Sequence, residues 1–183
     1  MDPESGMEGS VPVPRFYDAV GILRSSAKGT AKPAGSLAGA VSALRSGKPA
    51  GAVSEGLHWK DFEGLAAVIL DEKGYDTRRN LILGPPRVEI DVVGTRSDTA
   101  ILVDCKHWKG SVPKSVAARQ IVRAHIYAEQ NPGCGVIPVV MTLYEQSTLF
   151  AYQVPVVPVE RFASFVDDIP GHLDHMRVIR AAK

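Results

Sequence analysis

Two stretches decide the fold: Val88-Glu89-Ile90-Asp91-Val92-Val93, and Ile101-Leu102-Val103-Asp104-Cys105-Lys106, whose Asp104 lies thirteen residues after Asp91. Both read as β-strands. Alternation puts Glu89 and Asp91 on one face, and Asp104 and Lys106 on one face of the next strand. Two neighbouring strands then present several carboxylates and one amine at a single point. That is a donor set for a hard divalent cation, with a positive group beside it. Asp is depleted in strands and costly in a core strand, and Glu89 beside Asp91 crowds like charges unless a cation lies between them. Taken alone, each stretch also reads as a solvated strand face or a salt-bridged strand end.

Working outward, Trp59, Phe62, Ala66, Ile69 and Leu70 recur at helical spacing, and Gly74 stops that helix. Tyr75 to Leu83 is a strand ended by Gly84-Pro85-Pro86, and Val88 to Thr95 is the second. Arg96-Ser97-Asp98 makes a hairpin turn, and Thr99 to His107 is the third strand. Pro113 to Gln130 reads as a long helix ended by Asn131-Pro132-Gly133. Gly135 to Leu143 is apolar enough to be a strand buried on both faces. Leu149 to Val159 reads as a fifth strand whose two prolines suggest an edge or irregular position, followed by a short helix from Val159 to Phe165. The order α-β-β-β-α-β-β-α implies an α/β fold with a mixed central sheet and helices on both faces.

Glu63 follows Trp59 by four and precedes Ala66 by three, within or beside the apolar stripe of the first long helix. A buried carboxylate must bind a metal, pair with a cation or accept hydrogen bonds. A solvated Glu63 flanking the stripe is the alternative.

At 183 residues and 45% hydrophobic content the chain can bury one real core with an appendage. No run is long and apolar enough for a membrane helix, and the start of the chain lacks the basic and apolar segments of a secretory signal. Cys105 and Cys134 show neither metal spacing nor a disulfide framework, so an intracellular location is the expectation. Residues 1–52 read as a disordered start and a basic helical arm, and residues 53–183 as the main domain. Between Gly9 and Ser54 six basic residues face one acid, whereas from Glu55 onward 15 basic and 16 acidic residues nearly cancel. A basic arm suits a polyanion partner, and an ordinary solvated helix surface fits the same composition.

Helix Glu63, strand Asp91 and the Asp104-Cys105-Lys106 tripeptide, in that element order, resemble the restriction-endonuclease-like superfamily of PD-(D/E)xK nucleases. Within it, Ile101 to Lys109 resembles the Mrr-type endonucleases and archaeal Holliday-junction resolvases. The resemblance covers roughly Gly56 to Leu143. It implies a restriction-endonuclease-like αβββαβ core, with the N-terminal helical appendage outside it. Two positions depart from the commoner pattern: Ile90 precedes Asp91 where Pro is usual, and Asp104 stands where Glu is commoner, one methylene shorter.

The resemblance implies a metal-dependent DNA endonuclease that hydrolyses phosphodiester bonds, with Mg²⁺, or Mn²⁺ as substitute. Asp91, Asp104 and the main-chain carbonyl of Cys105 would be ligands, and Glu63 would hold a water of the ion's shell or a second ion. Lys106 would orient or help deprotonate the attacking water, and Gln120 would lie near the site. Trp108 and Lys109 could contact DNA by stacking and charge; Arg78, Arg79 and Arg119, with Arg123 four residues after Arg119 on the same helix, could hold phosphates or be plain surface. A homodimer fits a double-strand cut, because two strands need two sites. The other functional class is a nucleic-acid-binding module on the same fold with weak or lost catalysis. A structural α/β domain with a salt-bridged strand end is the third.

Overall fold

In a computed structural model, which describes residues 35–107 and 111–182, the elements follow the expected order with two short helices in front. These are α1 (Leu37–Arg45) and α2 (Ala50–Glu55), followed by α3 (Trp59–Glu72). Three strands come next, β1 (Asp76–Leu83), β2 (Val88–Arg96) and β3 (Thr99–Lys106). Then follow α4 (Lys114–Gln130), β4 (Gly135–Thr142), β5 (Phe150–Ala151), β6 (Val154–Pro158) and α5 (Val159–Asp168). The readings for residues 1–34 lie outside the described residues.

Local chemistry explains the helix ends. His58 caps α3 by accepting the Lys60 N–H on Nδ1 at 3.3 Å. At the other end the Tyr75 N–H reaches the Leu70 carbonyl at 3.0 Å and the Gly74 N–H reaches Asp71 at 2.9 Å. That double closure needs a left-handed residue, and Gly74 supplies it at φ +79°.

The six strands form one sheet in the order β1-β2-β3-β4-β6-β5. The β1-β2-β3 meander is antiparallel, and β4 lies parallel to both β3 and β6. A parallel β3–β4 pair needs a crossover, which α4 provides. Alternate residues of β3 and β4 feed two cores. Ile101, Val103, Ile137, Val139 and Met141 pack with α1, α3 and α5, while Ala100, Leu102 and Val136 pack beneath α4. All eight residues of β4 are buried, which is why its sequence shows no polar alternation.

The C-terminal strand reading needs correction. Leu149 to Val159 is not one strand at an edge. It folds into the β5–β6 hairpin through Tyr152 and Gln153, both at positive φ (53° and 63°). Such a turn favours Asn and Gly, so Tyr-Gln gave no turn signal. The proline-bearing β6 lies inside the sheet, between β4 and β5, with every residue buried.

Candidate active site

The site forms where β2 and β3 part. Their ladder runs from Arg96↔Thr99 to Val92↔Val103, whereas β3 continues beside β4 to Lys106↔Thr142. Past Val103 the Cys105 N–H is taken by a side chain: Asp91 Oδ2 accepts it at 2.8 Å. Strict alternation, which groups Glu89 with Asp91, fails at this point. Ile90 and Val93 both pack on the α4 side although three residues apart, and Val92 between them faces α3. The β1 residue opposite Asp91 is Asn80, at φ +50°, a conformation that Asn tolerates better than most residues. Both strands therefore change face together.

Asp104 is 2% exposed on the α4 side of β3. Two cations offset the cost of burying its charge. Arg123 Nη1 donates to Oδ1 at 2.9 Å, and Lys106 Nζ lies 2.8 Å from Oδ2. The Lys106 approach is close but poorly aligned, so Oδ2 has ion-pair attraction without a hydrogen bond among the described residues. Alternation on β3 thus brings Asp104 and Lys106 together as the sequence implies.

Gln120 is fully buried. Its Nε2 donates to the carbonyls of Leu102 (2.8 Å) and Val139 (3.4 Å), and its Oε1 accepts from Arg123 at 3.3 Å. It joins β3 to β4 and holds the arginine that grips Asp104. Arg123 is the residue that sequence reasoning misplaced: read with Arg119 as a phosphate contact, it faces inward. The three-residue spacing from Gln120 was the available signal, since it puts both on one helix face.

Glu63 lies on the α3 side and is buried at 5% exposure, with no hydrogen-bond partner for Oε2 among the described residues. Burial, reinforced by Asp91 and by Glu89, lifts its carboxyl from 4.5 to about 7 against the pull of Arg79 and Lys106. Burial and the Asp104 charge also raise Asp91, while the Cys105 N–H, Lys106 and Arg123 pull it back. The Cys105 thiol is pushed well up by burial and the surrounding carboxylates, which leaves it protonated at neutral pH. Asp91 is the residue whose charge reaches both flanks, Glu63 on one and Asp104 on the other.

Among the described residues, no three His, Cys, Asp or Glu side chains gather into a ready-made ion cage. The donor chemistry nevertheless fits a hard cation. Glu63 Oε2 and Asp104 Oδ2, both buried, accept no hydrogen bond among the described residues, although Lys106 Nζ lies 2.8 Å from the second, and burial together with neighbouring carboxylates holds Glu63 and Asp91 above their ordinary range.

The flanking basic residues are dispersed. Arg78 and Arg119 are exposed, and Arg79 lies along α3 with Nη2 donating to the Lys60 carbonyl at 2.8 Å. His107 ties the end of β3 to α2 through Nε2 and the Ser54 carbonyl, 2.9 Å apart, with its ring edge-on to Phe62. Trp108 and Lys109 lie outside the described residues. No described helix is long and apolar enough to cross a membrane.

No curated protein matches the chain. Among solved structures it is similar to AF1548, a protein of unknown function, at 22% identity and a TM-score of 0.39, over 53% of this chain and 56% of that one. It is also similar to the MspJI restriction endonuclease, solved in complex with a 27-mer oligonucleotide, at 21% identity and a TM-score of 0.33, over 57% of this chain and 27% of that one. The chain thus spans about half the length of the first and about a quarter of the second. Residues 54–133, a little under half of the chain, match the family model for the Mrr catalytic domain, described as "Restriction endonuclease". That segment runs from the end of α2 through α4 and contains Glu63, Asp91, Asp104 and Lys106; over it the chain is similar to the Mrr-type restriction endonucleases.

Proposed function

We propose that the protein is a divalent-metal-dependent endonuclease that hydrolyses phosphodiester bonds in DNA. One observation carries the reading: at the parting of β2 and β3, Asp91 binds the Cys105 N–H while Asp104 and Lys106 stand side by side on the next strand. The family match over this segment supports the same class of chemistry.

Asp91, Asp104 and the Cys105 carbonyl would hold Mg²⁺, with Mn²⁺ as substitute, and Glu63 would stand behind Asp91. When bound, such an ion supplies Lewis-acid polarisation of the phosphate and makes water a better nucleophile near neutral pH. The protein's own groups do the rest. Lys106 Nζ orients the attacking water and offsets charge that develops on the phosphorane-like transition state. Glu63, poised near 7, is suited to exchange a proton with that water. The Asp91 side chain fixes the Cys105 peptide and so aims its carbonyl.

A crystal soaked with Mn²⁺ tests the assignment. Anomalous density between Asp91 and Asp104 is the expected result, and an ion elsewhere or none at millimolar Mn²⁺ counts against it.

A second reading, a nucleic-acid-binding module without catalysis, draws on one observation: Asp104 already has two cationic partners. DNA binding without cleavage of duplex, single-stranded or branched substrates would favour it.

A further inference from the structure

We propose that Arg123 is a built-in competitor for the metal site, a counter-ion that the divalent cation must displace from Asp104. The inference rests on the nuclease reading of that site and concerns how the site loads.

Charge is the first reason. Asp91 and Asp104 carry two negative charges, and Lys106 and Arg123 bring two positive ones to the same carboxylates. Without an ion the four groups are already balanced. A dication added to that set leaves two positive charges in excess beside Asp104, which is 2% exposed and where water screens weakly; Glu63, on the α3 side of Asp91, can offset at most one of them. One cation is then driven out. Lys106 belongs to the same strand as Asp104, two residues away on the same face, so the backbone keeps it near. Arg123 comes from another element and can leave.

Geometry is the second reason. A strong arginine–carboxylate pair uses two parallel N–H bonds. Here a single nitrogen, Nη1, serves both Asp104 Oδ1 at 2.9 Å and Gln120 Oε1 at 3.3 Å. The grip is one-pronged. Gln120 itself cannot follow the ion, because its amide is fixed to the Leu102 and Val139 carbonyls. The arginine side chain is half-buried, with a path to solvent along the face of α4 that also carries Arg119. Loading the ion therefore exchanges Asp104's partner and turns a guanidinium toward solvent.

The shorter acidic side chain fits this device. A carboxylate one methylene shorter than glutamate stays close to its own strand, where the α4 arginine can hold it without an ion.

Calorimetric titration of the full chain with Mn²⁺ alone, at constant pH, tests the exchange. Wild type, Arg123→Gln, Arg123→Lys and Asp104→Asn are compared, each checked for a folded far-UV spectrum. Removing a charge-assisted hydrogen bond that the ion must break is expected to lower the Kd for Mn²⁺ in Arg123→Gln by roughly ten- to a hundredfold. Arg123→Lys, which keeps the charge and loses the planar reach, should fall between wild type and Arg123→Gln. The Mn²⁺-induced rise in Tm should be larger in Arg123→Gln than in wild type. If Asp104→Asn loses the ion while both Arg123 variants bind it no more tightly than wild type, the metal site stands and the exchange is overturned. If neither wild type nor Arg123→Gln binds Mn²⁺, the metal site and the exchange fall together. Should Arg123→Gln not fold, the Kd of Arg123→Lys decides.

Discussion

Asp91 Oδ2 accepts the main-chain N–H of Cys105 at 2.8 Å, so a side chain takes over the strand pairing where β2 leaves β3. The bond does two jobs. It seals a peptide that the departing strand would otherwise leave unpaired, and it fixes one carboxylate beside the Asp104 strand. Asp91→Ala removes both functions, whereas Asp91→Asn keeps an oxygen able to accept the N–H. Asn is therefore expected to fold almost as stably as wild type yet cut DNA roughly a thousandfold more slowly, while Ala also loses about 1–2 kcal/mol of stability. Urea titrations beside single-turnover cleavage separate the two effects.

Glu63 gives a pH signature. Its folded carboxyl sits near 7 and its ordinary value is 4.5. Below about 4.5 the group is protonated in both states and imposes no penalty. As pH rises toward 7 the unfolded chain gives up its proton first, so stability falls across that window and then levels off. Glu63→Gln in EDTA should therefore match wild type near pH 4.5 and exceed it by about 1–2 kcal/mol at pH 8, a figure reduced for solvent screening beside an exposed Glu89. A difference that is flat with pH would mean that Glu63 ionises normally.

Gln120 is expected to matter for stability first. Its amide links the Leu102 and Val139 carbonyls across β3 and β4. Gln120→Leu fills similar volume but strands those carbonyls and the Arg123 contact, at a cost of about 2–4 kcal/mol. Chemical denaturation measures it; a loss below about 0.5 kcal/mol would show that water or neighbouring groups satisfy the carbonyls equally well.

Gly94 sets how closely α3 approaches the sheet. A Cβ there would lie 3.0 Å from Leu70 Cδ1 and 3.3 Å from Tyr75 Cβ. Gly94→Ala is expected to cost about 1–3 kcal/mol through overpacking and to lower Tm accordingly. An unchanged Tm would mean that α3 can shift outward freely.

Much of this was legible in the sequence because the decisive residues break local rules. An Asp in an apolar strand, an Asp-x-Lys closing a core run and a Glu on an apolar helix face each needed a partner, and their element order named the fold. Asp104 and Lys106 met on one face because β3 keeps strict alternation. The change of face between Ile90 and Val92 was not legible, because the conformation at Asn80 opposite Asp91 involves two strands at once and no single-strand period encodes it. Arg123 looked like surface charge, since helix periodicity gives a face but not the buried carboxylate that face will meet. The β5–β6 turn was hidden for a simpler reason: Tyr152-Gln153 carries none of the residues that usually mark positive φ.

The central claim is that the Asp91, Asp104 and Lys106 cluster cuts DNA with a divalent ion. The direct measurement is cleavage of supercoiled plasmid and of labelled duplex, single-stranded and branched DNA, with Mg²⁺ or Mn²⁺ and with EDTA. Wild type and Lys106→Ala are compared, the variant being shown folded by its spectrum. The expected result is cutting by wild type that stops with EDTA, and a loss of roughly a hundredfold or more in Lys106→Ala. Wild-type rates in the folded variant, or no cleavage of any substrate by the wild-type protein, would contradict the claim.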